Sequence, residues 1–127
     1  MATVEITKDN FEETVTKNNM VIIDFWAAWC GPCRGFAPVF EAASEKHTDV
    51  VFGKVNADEQ QELAAAFSIR SIPYVTLLRE NVILFAQAGA LPGEALESVI
   101  EQARALDMAQ IHKDIAEQQA ASAKADE

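Results

Sequence analysis

The sequence predicts an α/β domain built on a central mixed five-stranded sheet with helices on both faces. Three observations carry that prediction. Apolar residues switch repeatedly between strand-like and helix-like spacing along the chain. The last two strand-like runs are separated by a tight connection, which adds an antiparallel hairpin to a sheet otherwise joined through helices. One run, Met20–Trp26, is apolar on both faces, the pattern of a buried central strand.

Taken in order, Ala2–Ile6 reads as the first strand. Thr7-Lys8-Asp9-Asn10 then offers helix-capping side chains, and Phe11 and Val15 stand four apart on one face of a first helix. In Met20–Trp26 the single polar residue, Asp24, falls in the driest part of the fold. After Trp29–Cys33, helical spacing returns with Phe36, Val39, Phe40 and Ala43, and Ser44–Asp49 supplies the stop. Pro38 lies inside this helix and predicts a kink, because it cannot donate to the carbonyl of Arg34. Val50–Val55 is the next strand, Glu59–Phe67 a short helix, and Tyr74–Leu78 a strand that begins directly after Pro73. Val82–Phe85 returns beside it across Arg79-Glu80-Asn81. Leu91-Pro92-Gly93-Glu94 opens the final helix, with proline where its missing N–H costs nothing.

The 127 residues suffice for one compact domain with a core of its own, so neither a disulfide nor a metal is needed as a staple. Two domain segments are expected, residues 1–106 and a helical or partly disordered extension over 107–127, whose Ala120–Glu127 end is of low complexity. A formal charge of -10 has the wrong sign for nucleic acid or an anionic membrane surface. No apolar run approaches the roughly 18 residues that cross a bilayer, and the first residues lack the features of a secretion signal, so a cytoplasmic location is expected.

The chemistry concentrates in Cys30-Gly31-Pro32-Cys33 at the start of a helix. A disulfide closing so short a loop is a poor cross-link, worth about 2 kcal/mol on the chain-entropy estimate. Zinc lacks the further ligands it wants, since His47 and His112 are spaced uselessly for it and no second cysteine pair exists; no metal is expected. Reversible redox chemistry remains. Cys30 sits where free N–H groups and the helix dipole favour a thiolate, and Cys33 lies one turn deeper among apolar residues that favour the neutral thiol. Cys30 is thus the expected attacking thiol and Cys33 the resolving one.

Asp24-Phe25-Trp26-Ala27-Ala28-Trp29-Cys30-Gly31-Pro32-Cys33-Arg34, then Pro38, then Ser68-Ile69-Arg70-Ser71-Ile72-Pro73, then Ala88-Gly89-Ala90, resembles the thioredoxin family over residues 2–106. The resemblance implies the thioredoxin fold and a protein disulfide reductase. It implies that Ile72-Pro73 is a cis peptide facing the disulfide, and that Trp29, Gly31, Pro32, Ile72, Pro73, Ala88, Gly89 and Ala90 form the surface on which a protein substrate lies. It also implies that Asp24 relays a proton to or from the resolving thiol through water, with Lys54 as a tuning neighbour; read from the residues alone, Asp24 and Lys54 equally suit a buried ion pair. Trp26 reads mainly as a core aromatic beneath the active-site loop, and with Lys54 it is expected to tune the site. No cofactor is expected on this chain; electrons come, by the resemblance, from NADPH through a flavin-containing thioredoxin reductase, and the partners are that reductase and proteins carrying disulfides.

Arg34, Ser71 and Tyr74 depart from residues frequent in the family, the hairpin lacks an Asn-Gly turn, and Val82–Phe85 is apolar on both faces. An interaction module using the same surface, and a disulfide oxidase, remain open beside the reductase. A monomer is expected, with one route to a dimer. Leu96, Val99, Ile100, Ala103 and Leu106 form one helical stripe, and Met108, Ile111 and Ile115 form another turned by roughly 110° from it. The helix is therefore expected either to run to about Gln118 or to bend near Asp107, with the second stripe docking on the Val82–Phe85 strand or on a second copy, or simply remaining in solvent.

Overall fold

The computed structural model describes residues 2–125. Its elements run β1 (Thr3–Glu5), α1 (Phe11–Lys17), β2 (Met20–Trp26), α2 (Gly31–Lys46), β3 (Val51–Asn56), α3 (Gln61–Ala66), β4 (Tyr74–Arg79), β5 (Val82–Ala88), α4 (Gly93–Ala105) and α5 (Met108–Ala125). The sheet order is β1-β3-β2-β4-β5. β3 pairs in parallel with β1 and β2, whereas β4 runs antiparallel to both β2 and β5, which makes the sheet mixed.

β2 lies at the centre because both its faces are apolar, and every residue from Met20 to Phe25 is buried. Its even positions, Met20 and Ile22, join Phe36 and Phe40 of α2 and Leu96 and Ile100 of α4 in one core. The odd positions, Val21, Ile23 and Phe25, join Val15 of α1 and Leu63 of α3 in the other. Alternation along one strand thus builds two layers of core at once. Gly53 of β3 gives the fully buried Ile6 its place: a Cβ at Gly53 would stand 2.0 Å from Ile6 Cδ1.

Several boundaries differ from the sequence reading. β1 is shorter than Ala2–Ile6, β3 is shifted by one residue from Val50–Val55, and α3 is shorter than Glu59–Phe67. Pro38 lies inside α2, where the sequence places it. β5 extends beyond Val82–Phe85 to Ala88, and its lack of alternation has a local cause. Leu77 pairs with Phe85 but Leu78 pairs with Ile83, so a bulge at Leu84 lets both Leu84 and Phe85 pack on the α2/α4 core. The hairpin turn places Glu80 and Asn81 at φ 52° and 64° between the paired residues Arg79 and Val82. That is the twist-matched hairpin geometry made without glycine, and the Glu80 N–H is fastened to the Asn19 carbonyl at 2.7 Å.

The last helical segment breaks where its apolar stripe turns. Leu106 is extended, with φ -70° and ψ 142°, and Asp107 Oδ1 accepts the Gln110 N–H at 3.1 Å to start α5. Arg79 Nη1 donates to the carbonyls of Ala103, Arg104 and Leu106, at 2.8, 3.2 and 3.1 Å, and so satisfies the end of α4 that no glycine caps. In α5, Met108 is buried and Ile111 and Ile115 are half-buried, while the residues from Ala116 to Lys124 are exposed. His112 Nε2 meets Glu80 Oε1 at 2.8 Å, so the extension is tied to the hairpin turn preceding Val82–Phe85. The disorder anticipated for the end of the extension gives way to helix through Ala125, and the part of that expectation concerning Asp126 and Glu127 lies outside the described residues. No helix among the described residues is long and apolar enough to cross a membrane.

Candidate active site

β2 ends at Trp26, and the chain turns through Ala27–Trp29 into α2, carried by a hydrogen bond from the Cys30 N–H to the Ala27 carbonyl at 3.2 Å. Cys30 is the N-cap of α2, with Pro32 in the first turn. The two cysteines form a disulfide with their Cα atoms 5.2 Å apart. Cys30 Sγ accepts the Cys33 N–H at 3.2 Å and so performs the capping task usually given to a side-chain oxygen. The two sulfurs were expected to differ in depth, yet both residues are 3% exposed in this closed state. What separates them is the cap: the Cys33 N–H donates to Cys30 Sγ.

Opposite the disulfide, Ile72-Pro73 is cis. Cys30 Sγ lies 3.7 Å from the Ile72 carbonyl oxygen. The Gly89 N–H donates to the Pro73 carbonyl at 2.8 Å, with Gly89 at φ 108°, so the end of β5 is brought against the Pro73 loop and Gly89 occupies a conformation suited to glycine. Ala88, Gly89 and Ala90 are exposed, as are Gly31 and Pro32, whereas Pro73 is buried and Ile72 half-buried. Trp29 is 69% exposed, unusual for so large an apolar ring. It is nonetheless fixed, since its Nε1 donates to Asp58 Oδ2 at 2.9 Å. Between Trp29 and Ile72 opens a groove of about 540 Å³ with Ala64 and Ile69 in its lining and Asp58 and Arg70 among its polar wall residues. Trp29, Gly31, Pro32, Ile72, Pro73 and residues 88–90 thus gather around one disulfide.

Asp24 is fully buried in β2, on the α2/α4 side of the sheet, and neither carboxylate oxygen has a hydrogen-bond partner among the described residues. Burial raises its pKa from the ordinary 3.8 to about 7, opposed by the positive charge of Lys54. Lys54 is the register partner of Asp24 on β3, but its Nζ stands over the Trp26 ring, 5.0 Å from the centroid. A hydrogen-bonded ion pair, one of the two roles the sequence allowed, is therefore not what holds Asp24. Trp26 is half-buried and packs with Ala27, Cys30 and Cys33 beneath the disulfide.

Sequence reasoning missed two contacts. Asp58 holds Trp29, and its only signal was the polar run after β3, where Asn56 Oδ1 accepts the Asp58 and Glu59 N–H groups and turns the chain. Arg34 reaches back with Nη1 to the Ala28 carbonyl at 2.9 Å, a contact no spacing rule announces.

Comparisons with known proteins agree with this geometry. Residues 2–102 match the thioredoxin family. The chain is similar to a thioredoxin-like protein of Streptomyces coelicolor, 59% identical over 119 residues that cover 94% of this chain and 89% of that one. It is also similar to a thioredoxin of Alicyclobacillus acidocaldarius, 42% identical over 76% of this chain and 93% of the relative. Among solved structures, the short form of spinach chloroplast thioredoxin f superposes with a TM-score of 0.74 at 33% identity, covering 82% of this chain and 96% of that one. A cysteine pair closed at a helix N-terminus, inside a family match that begins at residue 2, leaves one conclusion: the chain belongs to the thioredoxin family and is a thiol-disulfide oxidoreductase.

Proposed function

We propose that this oxidoreductase works as a protein disulfide reductase in the cytoplasm, with Cys30 attacking and Cys33 resolving. The observation that carries the assignment is the hydrogen bond from the Cys33 N–H to Cys30 Sγ, because a donor aimed at that sulfur stabilises negative charge on it. In the reduced chain the Cys30 thiolate attacks one sulfur of the substrate disulfide, a mixed disulfide forms, and the first substrate thiolate leaves. Cys33 gives up its proton, its thiolate displaces the second substrate sulfur, and the Cys30–Cys33 disulfide closes. Two electrons pass to the substrate, whose two sulfurs end as thiols.

Asp24 is the proton acceptor for Cys33 in this reading. A carboxyl pushed up to about 7 is matched to proton transfer near neutral pH. It acts through water, and Lys54 tunes it from across the strand pair. Trp29, Gly31, Pro32, Ile72, Pro73, Ala88, Gly89 and Ala90 receive the substrate chain. No cofactor takes part on this chain, because the electrons reside in two thiols. They are restored from NADPH by a flavin-containing thioredoxin reductase.

Equilibration of the purified chain against glutathione buffers of known potential tests the direction. A Cys30–Cys33 potential of about -200 mV or lower supports the reductase, whereas a value near -120 mV would make the chain an oxidant.

A further inference from the structure

Most of the positive charge on this acidic chain is already committed. Among the described residues, Lys8, Lys17, Lys46 and Arg104 pair with Glu62, Glu13, Glu97 and Asp49. Arg79 is taken by the carbonyls of α4, and Lys54 lies over Trp26 with Asp24 as its strand neighbour. Arg34, Arg70, Lys113 and Lys124 have no carboxylate partner among the described residues. Two of these four sit on α5. The other two belong to the pieces of chain that enclose the disulfide: Arg34 follows Cys33 in the first turns of α2, and Arg70 lies two residues before Ile72, whose carbonyl faces Cys30 Sγ.

Both are exposed, and both belong to anchored parts of the site. Arg34 is held by its bond to the Ala28 carbonyl. Arg70 lies on the groove that starts at Trp29 and Ile72. Asp58 is the one carboxylate lining that groove among the described residues, and it is engaged by the indole N–H of Trp29.

We propose that Arg34 and Arg70 determine substrate choice, selecting protein disulfides flanked by acidic residues. This rests on the reductase reading above and names its substrate class. The net charge of -10 repels an acidic partner from most directions. Screening confines charge interactions to about 8 to 10 Å at physiological salt, so these two guanidinium groups, whose charge no carboxylate among the described residues offsets, govern the last stage of approach. An acidic segment is thus turned away elsewhere and admitted at the disulfide, where Arg34 and Arg70 offer bidentate donors to its carboxylates. The apolar groove between Trp29 and Ile72 takes the neighbouring uncharged side chain. Chemistry is unchanged: Cys30 attacks the substrate disulfide, Cys33 closes the chain's own, and the substrate leaves as a dithiol.

The test uses the reduced full chain and three disulfide peptides of one sequence, with Glu, Gln or Lys on both sides of the bridge. Single-turnover rates at low salt are expected to favour the Glu over the Lys peptide by about tenfold, and the preference is expected to collapse at 1 M salt. In Arg34→Gln/Arg70→Gln the ratio drops below one, because only the overall negative charge is left to act. Lys113→Gln/Lys124→Gln removes the same amount of charge from α5 and keeps the original ratio. A Lys peptide reduced as fast as the Glu peptide by the unaltered chain overturns the inference, as does an equal loss of preference in both double variants. Failure to reduce any of the three peptides would instead strike the reductase reading itself.

Discussion

Lys54 stands directly across the parallel β2–β3 register from Asp24, yet its ammonium is drawn over the Trp26 ring, and among the described residues neither Asp24 carboxylate oxygen has a hydrogen-bond partner. The cation is near enough to lower the cost of ionising Asp24 without fixing it as an ion pair. That arrangement leaves the carboxyl able to change protonation state at neutral pH, which a tight buried pair would prevent.

Asp24→Asn is expected to stabilise the fold at high pH. With the folded pKa raised to about 7 and the ordinary value at 3.8, the native state binds more protons than the unfolded chain between those limits. Stability contributed by Asp24 is therefore full below about pH 4 and is lost as pH rises toward 7, by about 4 kcal/mol at most. Asparagine has no such loss. The gap between the urea midpoints of the two proteins should widen in favour of the variant from pH 4 up to pH 8; parallel curves would refute the buried titration. Disulfide reduction by the variant is expected to slow most near neutral pH.

Cys33→Ser is expected to accumulate a mixed disulfide between Cys30 and a target protein, because attack proceeds and resolution cannot. Mass spectrometry of the trapped species reads the attachment site. Trapping seen only on Cys33, in a Cys30→Ser variant, would reverse the two roles.

Gly53→Ala is expected to destabilise the chain by about 1 to 3 kcal/mol through overpacking, since the new methyl meets Ile6 Cδ1 and Cγ1 at 2.0 and 2.7 Å. The same substitution made in Ile6→Ala is expected to cost much less, because both colliding atoms are gone. A double-mutant cycle in chemical denaturation gives the coupling; additive costs would mean that Ile6 is not the obstacle.

Shortening the chain to residues 1–106 is expected to lower the melting temperature, because it removes the buried Met108 and the His112 contact to Glu80. Burial of a methionine side chain contributes about 1.5 to 3 kcal/mol. An unchanged melting curve would mean that α5 adds nothing to the fold. Neither cysteine lies in the removed segment, so reductase activity is expected to persist.

The sheet was legible because burial on both faces leaves a simple signature: Met20–Trp26 could be nothing but central, and its one carboxylate was conspicuous. The motif residues were legible for a similar reason, since cysteine, proline and glycine each carry a narrow set of conformational or chemical uses. Three features escaped. The Val82–Phe85 run hid a bulge, because two adjacent residues turned to one core erase the alternation on which strand reading depends. The hairpin connection was legible at Arg79-Glu80-Asn81 but its left-handed pair was not, because a residue such as Glu80 rarely takes a left-handed φ unless other contacts hold it there. The end of α4 gave no glycine or proline, because its cap comes from Arg79, 24 residues upstream of the first carbonyl it satisfies. Long-range satisfaction of a helix end has no local spelling.

The sulfur that caps α2 is also, in the proposed mechanism, the sulfur that attacks the substrate. Any change that tightens or loosens the first turn of this helix therefore alters how well Cys30 leaves a mixed disulfide, even when no atom near the substrate moves. Gly31 and Pro32, exposed and outside both large cores, are the positions from which that turn can be reshaped. Substitutions at these two surface residues are therefore expected to act on the thiol chemistry while sparing the packed layers beneath them.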